Sequence, residues 1–205
     1  MRFYHKHILP VLIDRACSGK TSMGQREKVI PLAKGKVLEI GIGSGASLIL
    51  YDGTRVKHVT AIDPLEELWK KNRVDLDNLN FEFEYIKGSA DQIPAGDGTF
   101  DTVVTTFTLC SVHNEEKVLR EMHRVLKPGG RLVFSEHGKA PDKGIERWQK
   151  LVNPVWKQIS GGCQLTRDIP ELLERNGFNI GNLEAGYKDG WSLTSYQYWG
   201  FATRI

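Results

Sequence analysis

Cysteine is scarce in this 205-residue chain. The three present, Cys17, Cys110 and Cys163, are odd in number and far apart, which excludes a disulfide framework and gives no zinc-ligand spacing. They read as reduced thiols, no metal ligand set is expected, and a cytoplasmic location is the expectation. Long apolar runs are missing as well: nothing approaches the roughly 18 residues of a membrane span. The segment "ILPVLI", Ile8 to Ile13, is short and proline-broken, and it lacks the cleavage pattern of a signal peptide. There is no internal repeat, low-complexity tract or linker, so residues 1–205 read as one domain, long enough for a substantial core. Charge of one sign is not concentrated either. Lys and Arg number 28 against 25 Asp and Glu, interspersed, for a net charge of +3, which argues against a nucleic-acid partner. The first forty residues are the exception, with Arg2, Lys6, Arg15, Lys20, Arg26, Lys28, Lys34 and Lys36 against Asp14, Glu27 and Glu39. A solvated helical face is the reading preferred for them over contact with anionic lipid or an acidic substrate.

What is present is alternation. "KVLEIG" (36–41), "HVTAID" (58–63), "FEFEYIKG" (81–88), "FDTVVTTF" (100–107) and "GRLVFSEH" (130–137) read as strands. Between them, "PLEELWKKNRVD" begins a helix with Pro64 in its first turn. "EEKVLREMHRVLKPGG" places Val118, Leu119, Met122, Val125 and Leu126 on one face before Pro128-Gly129-Gly130. Strands alternating with helices mean an α/β fold: a mostly parallel sheet with helices on both faces. After Glu136 the pattern changes. A long helix over roughly 141–158 carries Trp148, Leu151, Val155, Trp156 and Ile159, read as core packing. "GGCQLTRD" reads as a loop ending in a helix cap at Asp168, with Arg167 and Asp168 as a local pair. Closing strands are expected near 178–187 and 193–204.

The chemistry starts at "KVLEIGIGSG", Lys36 to Gly45, where the first strand runs into glycines at alternate positions. In open α/β sheets ligands sit outside the carboxyl ends of the strands, where the strand order reverses. Gly41, Gly43 and Gly45 let a ligand lie against bare backbone there, ahead of a helix expected to begin near Ser44 or Gly45. Gly41 to Ala46 satisfies the dinucleotide pattern G-x-G-x-x-A, and Asp63 follows at the end of the second strand, suited to ribose hydroxyls. A nicotinamide-dependent reductase therefore stays open. Glu39, however, offers little to a pyrophosphate and a great deal to an amino-acid ammonium. S-Adenosylmethionine carries that ammonium together with a carboxylate, a ribose and a sulfonium.

The ordered set "VLEIGIGSG", "AIDP", "IPAGDGTFDTVVTTFTLCSV" and "VLREMHRVLKPGGRLVFSEH" resembles the successive motifs of class I S-adenosylmethionine-dependent methyltransferases of the methyltransferase type 11 kind, over about residues 35 to 137. The resemblance implies a Rossmann-like, seven-stranded sheet with an antiparallel last strand. It implies that Glu39, Gly41, Gly43, Ser44 and Gly45 cradle the methionine part, Asp63 binds ribose, and Pro64 and Leu65 line the adenine. Ser89 and Ala90 stand where the family has an Asp-Ala pair, so that Asp91 would replace the missing adenine contact, and Thr106 would lie by the methionine. It further implies that residues 1–34, with Tyr4, His5 and His7, form a helical cap and that 138–170 is a helical insertion near the substrate pocket. The segment "NPVWKQISGGCQLTRDIPELL" resembles the carboxyl-terminal part of methyltransferase-like thiol S-methyltransferases and their bacterial relatives.

Methyl transfer from a sulfonium is an in-line displacement in which the protein chiefly aligns groups and excludes water. Candidate groups for the acceptor are His113, which either takes a proton or caps the helix near Asn114, and Glu136 and His137 at the end of the fifth strand. The expected partner is a small-molecule methyl acceptor, preferably a thiol. A quinone precursor, a phospholipid amine and an arsenical are the alternatives. The arsenical ranks last because it relies on several positioned cysteines and only Cys110 and Cys163 are plausible. A non-catalytic module that binds the cofactor as a signal is the remaining reading.

Overall fold

The computed structural model describes residues 9–205. Arg2, Tyr4, His5, Lys6 and His7, named above, lie outside them. Seven strands form one sheet: β1 (Gly35–Ile40), β2 (Val56–Asp63), β3 (Glu82–Lys87), β4 (Phe100–Thr106), β5 (Leu126–His137), β6 (Phe178–Tyr187) and β7 (Tyr196–Arg204). Their spatial order is β3-β2-β1-β4-β5-β7-β6. The first five pair in parallel, and β7 runs antiparallel to both β5 and β6. The Rossmann-like sheet with its antiparallel last strand is thus present, and β7 is inserted inside the edge.

Strand alternation sends side chains to two cores. Leu38 and Ile40 join Val103, Leu132 and Phe134 under α4 (Glu115–Val125) and α6 (Ile169–Arg175). Val37 joins Val59, Ala61, Val104, Val133 and Trp199 on the other face, with Val29 of α2 (Lys20–Val29). Helix α4 forms as its pattern dictates. Val118, Leu119, Met122 and Val125 are buried, and the Asn114 side chain accepts from the Lys117 N–H at 2.9 Å. The cap is therefore Asn114 and not His113. Asp168 caps α6, accepting from the Glu171 N–H at 3.3 Å.

Several expected helices differ. No α-helix follows the glycine loop, only a 3-10 turn at Leu48–Leu50. Helix α3 is a single turn, Glu66–Trp69, and Pro64 precedes it. It stops where Asn72 folds back to accept from the Val74 N–H at 3.0 Å. Helix α5 (Lys143–Ile159) has the expected length, but its apolar stripe faces outward: Trp148, Leu151, Val155 and Ile159 are 59%, 68%, 65% and 51% exposed. Its inner face is polar. Gln149 is buried because its amide accepts from the Ala140 N–H and donates to the Gly138 and Leu193 carbonyls. Asn153 accepts from the Leu165 N–H. Satisfied hydrogen bonds make that burial tolerable, so periodicity alone pointed to the wrong face; of the five named aromatics and aliphatics, Trp156 and the edge of Ile159 reach the cavity wall. Arg167 and Asp168 do not pair with each other. Arg167 is buried and donates to the Leu109 carbonyl, to the Val112 carbonyl at 2.6 Å and to Glu115 at 2.9 Å, while Asp168 pairs with Lys139 at 2.7 Å.

Glu136, fully buried on β5, organises the loop after β4. One carboxylate oxygen accepts from Thr105 Oγ1 (2.8 Å) and from the N–H groups of Thr108 (3.1 Å) and Leu109 (2.9 Å); the other accepts from the Cys110 N–H (3.1 Å). Truncation by Glu136→Ala would leave three backbone N–H groups without their acceptor, at about 1 to 3 kcal/mol each. We expect a stability loss of at least about 3 kcal/mol, read by urea denaturation.

Candidate active site

The crevice opens where β1 and β4 part, with Ile40 beside Ile62 on one side and Thr105 on the other. Two loops leave it, 41–47 after β1 and 107–114 after β4. Gly41 has φ +74° and a Cβ there would lie 2.1 Å from Thr108 Oγ1, so the two loops touch only because residue 41 has no side chain. At Gly43, φ is +57° and an added Cβ would meet open space, on the side where the backbone borders the cavity. Gly45 is off the cavity wall, against Asn72 and Trp69. Phe107 is the only non-glycine residue with positive φ (+56°) among the described residues, and its ring forms part of the wall.

The cavity bounded by these loops measures about 750 Å³. It brings together Gly41, Gly43, Ser44, Asp63, Pro64 and Leu65, and on a further wall Ser89, Ala90, Asp91 and Thr106. Asp63 is buried at the end of β2, where Oδ2 accepts from the Gly43 N–H (2.9 Å) and Oδ1 from the Leu65 N–H (2.7 Å). Burial pushes its carboxyl up from the ordinary value, against those two bonds. Asp91 is half-exposed and pairs with Lys117 at 3.3 Å.

Two expected acids are not on the wall. Glu39 is 1% exposed and lies beneath the glycine loop, accepting from Ser47 Oγ at 2.6 Å and Tyr51 O–H at 2.9 Å. Burial pushes its carboxyl up, opposed by those bonds and by Arg26. It braces the loop and does not reach the cavity. Glu136 is likewise spent on the second loop, which removes it from the acceptor groups. His113 is exposed at the mouth, and His137 lines the interior. The His137 ring packs against Phe107, centroids 5.2 Å apart, and its Nδ1 is buried without a partner. Burial pulls its pKa down to about 4, with the Thr194 backbone acting in the opposite sense, so the ring is neutral at ordinary pH.

Arg26 was not singled out by its sequence, where it belongs to a basic segment. On α2 it is 5% exposed and lines the cavity. Its Nε donates to Thr106 Oγ1 at 3.2 Å, one terminal nitrogen donates to the Cys17 carbonyl, and the guanidinium lies 5.2 Å from the Phe107 ring centroid. No sequence signal marks it, because only the docking of α2 carries a surface-like charge inside. Helix α1 (Leu9–Cys17) and α5 complete the enclosure with Leu9, Ile13, Cys17, Trp156 and Cys163. No group of three or more His, Cys, Asp and Glu among the described residues is placed to hold a metal ion, and no described helix is long and apolar enough to cross a membrane.

Residues 38–134 match the family model of the methyltransferase domain. The chain is 35% identical over 182 residues to thiol S-methyltransferase TMT1A of Homo sapiens, covering 85% of this chain and 72% of that protein. It is 36% identical over 187 residues to thiol S-methyltransferase TMT1B of Homo sapiens, covering 86% and 75%. Among solved structures, a SAM-dependent methyltransferase of Methanosarcina mazei superposes with a TM-score of 0.68 at 21% identity, over 83% of this chain and 92% of that one. With these relatives matched over most of their length and the glycine-lined crevice in place, the chain belongs to the S-adenosylmethionine-dependent methyltransferases.

Proposed function

We propose that this methyltransferase acts on a small-molecule thiol. The observation that carries the reading is that, among the described residues, the wall beyond the glycine loop holds no strong base: its uncommitted imidazoles are His113, exposed at the mouth, and His137 inside. Glu136 is committed to backbone, and the one buried imidazole there, His137, is a weak base. A phenol or an ammonium would need stronger help, whereas a thiol of pKa about 8.5 is already a few per cent thiolate near neutral pH. The neutral His137 ring borders the acceptor side of the cavity. The apolar walls from α1, Phe107 and Trp156 exclude water from the displacement. Similarity to two thiol S-methyltransferases supports the same acceptor class.

The residues present fit the cofactor. Gly41 and Gly43 offer bare backbone, and Asp63 takes the ribose hydroxyls. Pro64, Leu65, Ser89, Ala90 and Asp91 border the adenine, and Ser44 and Thr106 the methionine part. Arg26, a buried cation beside Thr106, suits the methionine carboxylate. Bound there, S-adenosylmethionine supplies a methyl group on a cationic sulfur that leaves as a neutral thioether. Alignment of the acceptor with that methyl can contribute about 7 to 11 kcal/mol.

A panel of thiols, phenols, quinols and amines incubated with labelled S-adenosylmethionine should yield product with thiols; labelling of another class alone would remove the assignment. Asp63→Ala should weaken S-adenosylhomocysteine binding by about 1.5 to 3 kcal/mol in calorimetry, and Arg26→Met by a similar amount. Unchanged affinity in either variant would show that the residue is not a cofactor contact. The rate should climb with pH toward the acceptor's own pKa of about 8.5. A limb near 6.5 would instead mark an imidazole base. Stability should move oppositely to a salt-bridged histidine. The unfolded ring takes its proton near pH 6.5 and the folded one only near 4, so stability falls as pH drops through that window. The full loss is at most about 3 kcal/mol, and His137→Asn should flatten it in denaturation curves recorded across pH.

A further inference from the structure

The three cysteines, remote in sequence, all reach the wall of one cavity: Cys17 from the end of α1, Cys110 from the loop after β4 and Cys163 from the loop after α5. Two of them are held as a pair. The Gln164 N–H donates to the Cys110 carbonyl at 2.9 Å, and a Cβ on Gly162 would sit 2.8 Å from the Ser111 carbonyl oxygen, so the two loops pack backbone to backbone. Arg167 ties them again, donating to the Leu109 and Val112 carbonyls. Cys110 and Cys163 consequently stand side by side on the cavity wall and influence each other's ionisation. The Trp156 indole N–H, buried without an oxygen acceptor, lies beside the Cys163 sulfur. Cys17 is near Cys163 but is not hydrogen-bonded to it, and no three-group metal cluster forms among the described residues. The arrangement is therefore a pair of neighbouring free thiols, partly exposed at Cys163.

We propose that Cys110 and Cys163 form a dithiol site on the cavity wall that captures trivalent organoarsenicals of the R–As=O class. Two As–S bonds form, the As=O oxygen leaves as water with the two thiol protons, and arsenic stays trivalent, so neither oxidant nor reductant is consumed. The electrostatics favour the first step. The neighbouring Cys110, helped by the Trp156 N–H, holds the Cys163 thiol below its ordinary range, while Cys163 and burial push Cys110 up. Cys163 attacks as thiolate and Cys110 closes the ring. The proposal stands whether or not the methyl acceptor is a thiol.

The test uses the full reduced chain and phenylarsine oxide. Intact mass should show one arsenical per chain that survives an excess of 2-mercaptoethanol and is removed by 2,3-dimercaptopropanol. Titratable thiols in the unfolded adduct should fall from three to one. Cys163→Ser should retain the arsenical at least about tenfold less well, Cys17→Ser should retain it fully, and both should bind S-adenosylhomocysteine as the unaltered chain does. Retention undiminished in Cys163→Ser, dependence on Cys17, or an adduct stripped by the monothiol would overturn the proposal. The thiol count and monothiol resistance of the unaltered chain decide it even if a variant does not fold.

Discussion

Two buried carboxylates at strand ends hold the crevice open. Glu39 on β1 and Glu136 on β5 each sit in the sheet with no exposure to speak of, and each gives its oxygens to the loops that line the crevice. Glu39 bonds the hydroxyls of Ser47 and Tyr51 beneath the glycine loop; Glu136 binds three successive backbone N–H groups of the opposite loop. A buried charge is costly unless its hydrogen bonds are complete, and here completeness is achieved only when both loops take one shape. The loops in turn meet at Gly41 against Thr108, where no side chain fits. Cofactor crevice and loop conformation are thus set by the same bonds.

That division of labour leaves the cavity interior sparsely charged. The buried carboxylate on the cavity wall is Asp63, and the buried cation there is Arg26, carried in by a helix that precedes the first strand. The acceptor side is walled by apolar rings, a neutral imidazole and sulfur. Such a wall aligns and dries an acceptor and supplies little base strength, which matches chemistry whose leaving group is already activated. The loop after α5, clamped by Arg167 onto the loop after β4, brings Cys163 beside Cys110 on this wall.

The fold was readable in the sequence where local signals and tertiary demands coincide. All five parallel strands lie within a few residues of their hydrophobic runs, and α4 buries the stripe that its spacing predicts. That the glycine loop and Asp63 border a crevice was readable because close backbone approach and strand-end acids leave a residue-type signature; Ser89–Asp91 on the same wall came only from the family resemblance. Failures came where side-chain chemistry outweighed periodicity. Helix α5 turns Gln149 and Asn153 inward because backbone groups await them, and Trp148, Leu151 and Val155 outward. Glu39 and Glu136 were read as ligand-facing because a strand-end acid looks the same in sequence whether it faces a ligand or a backbone N–H.

The sequence by itself determined the parallel strands and the position of the crevice along the chain, since glycine spacing and hydrophobic period are local properties of the chain, while the kind of cofactor came from the resemblance carried by the ordered motif set. Only the tertiary structure decided which acids are struts and which one faces a ligand, that Arg26 is an interior cation, and that Cys110 and Cys163 are neighbours. These depend on how helices dock and loops return across the sheet. Burial and hydrogen-bond partners, not residue type, assign the role.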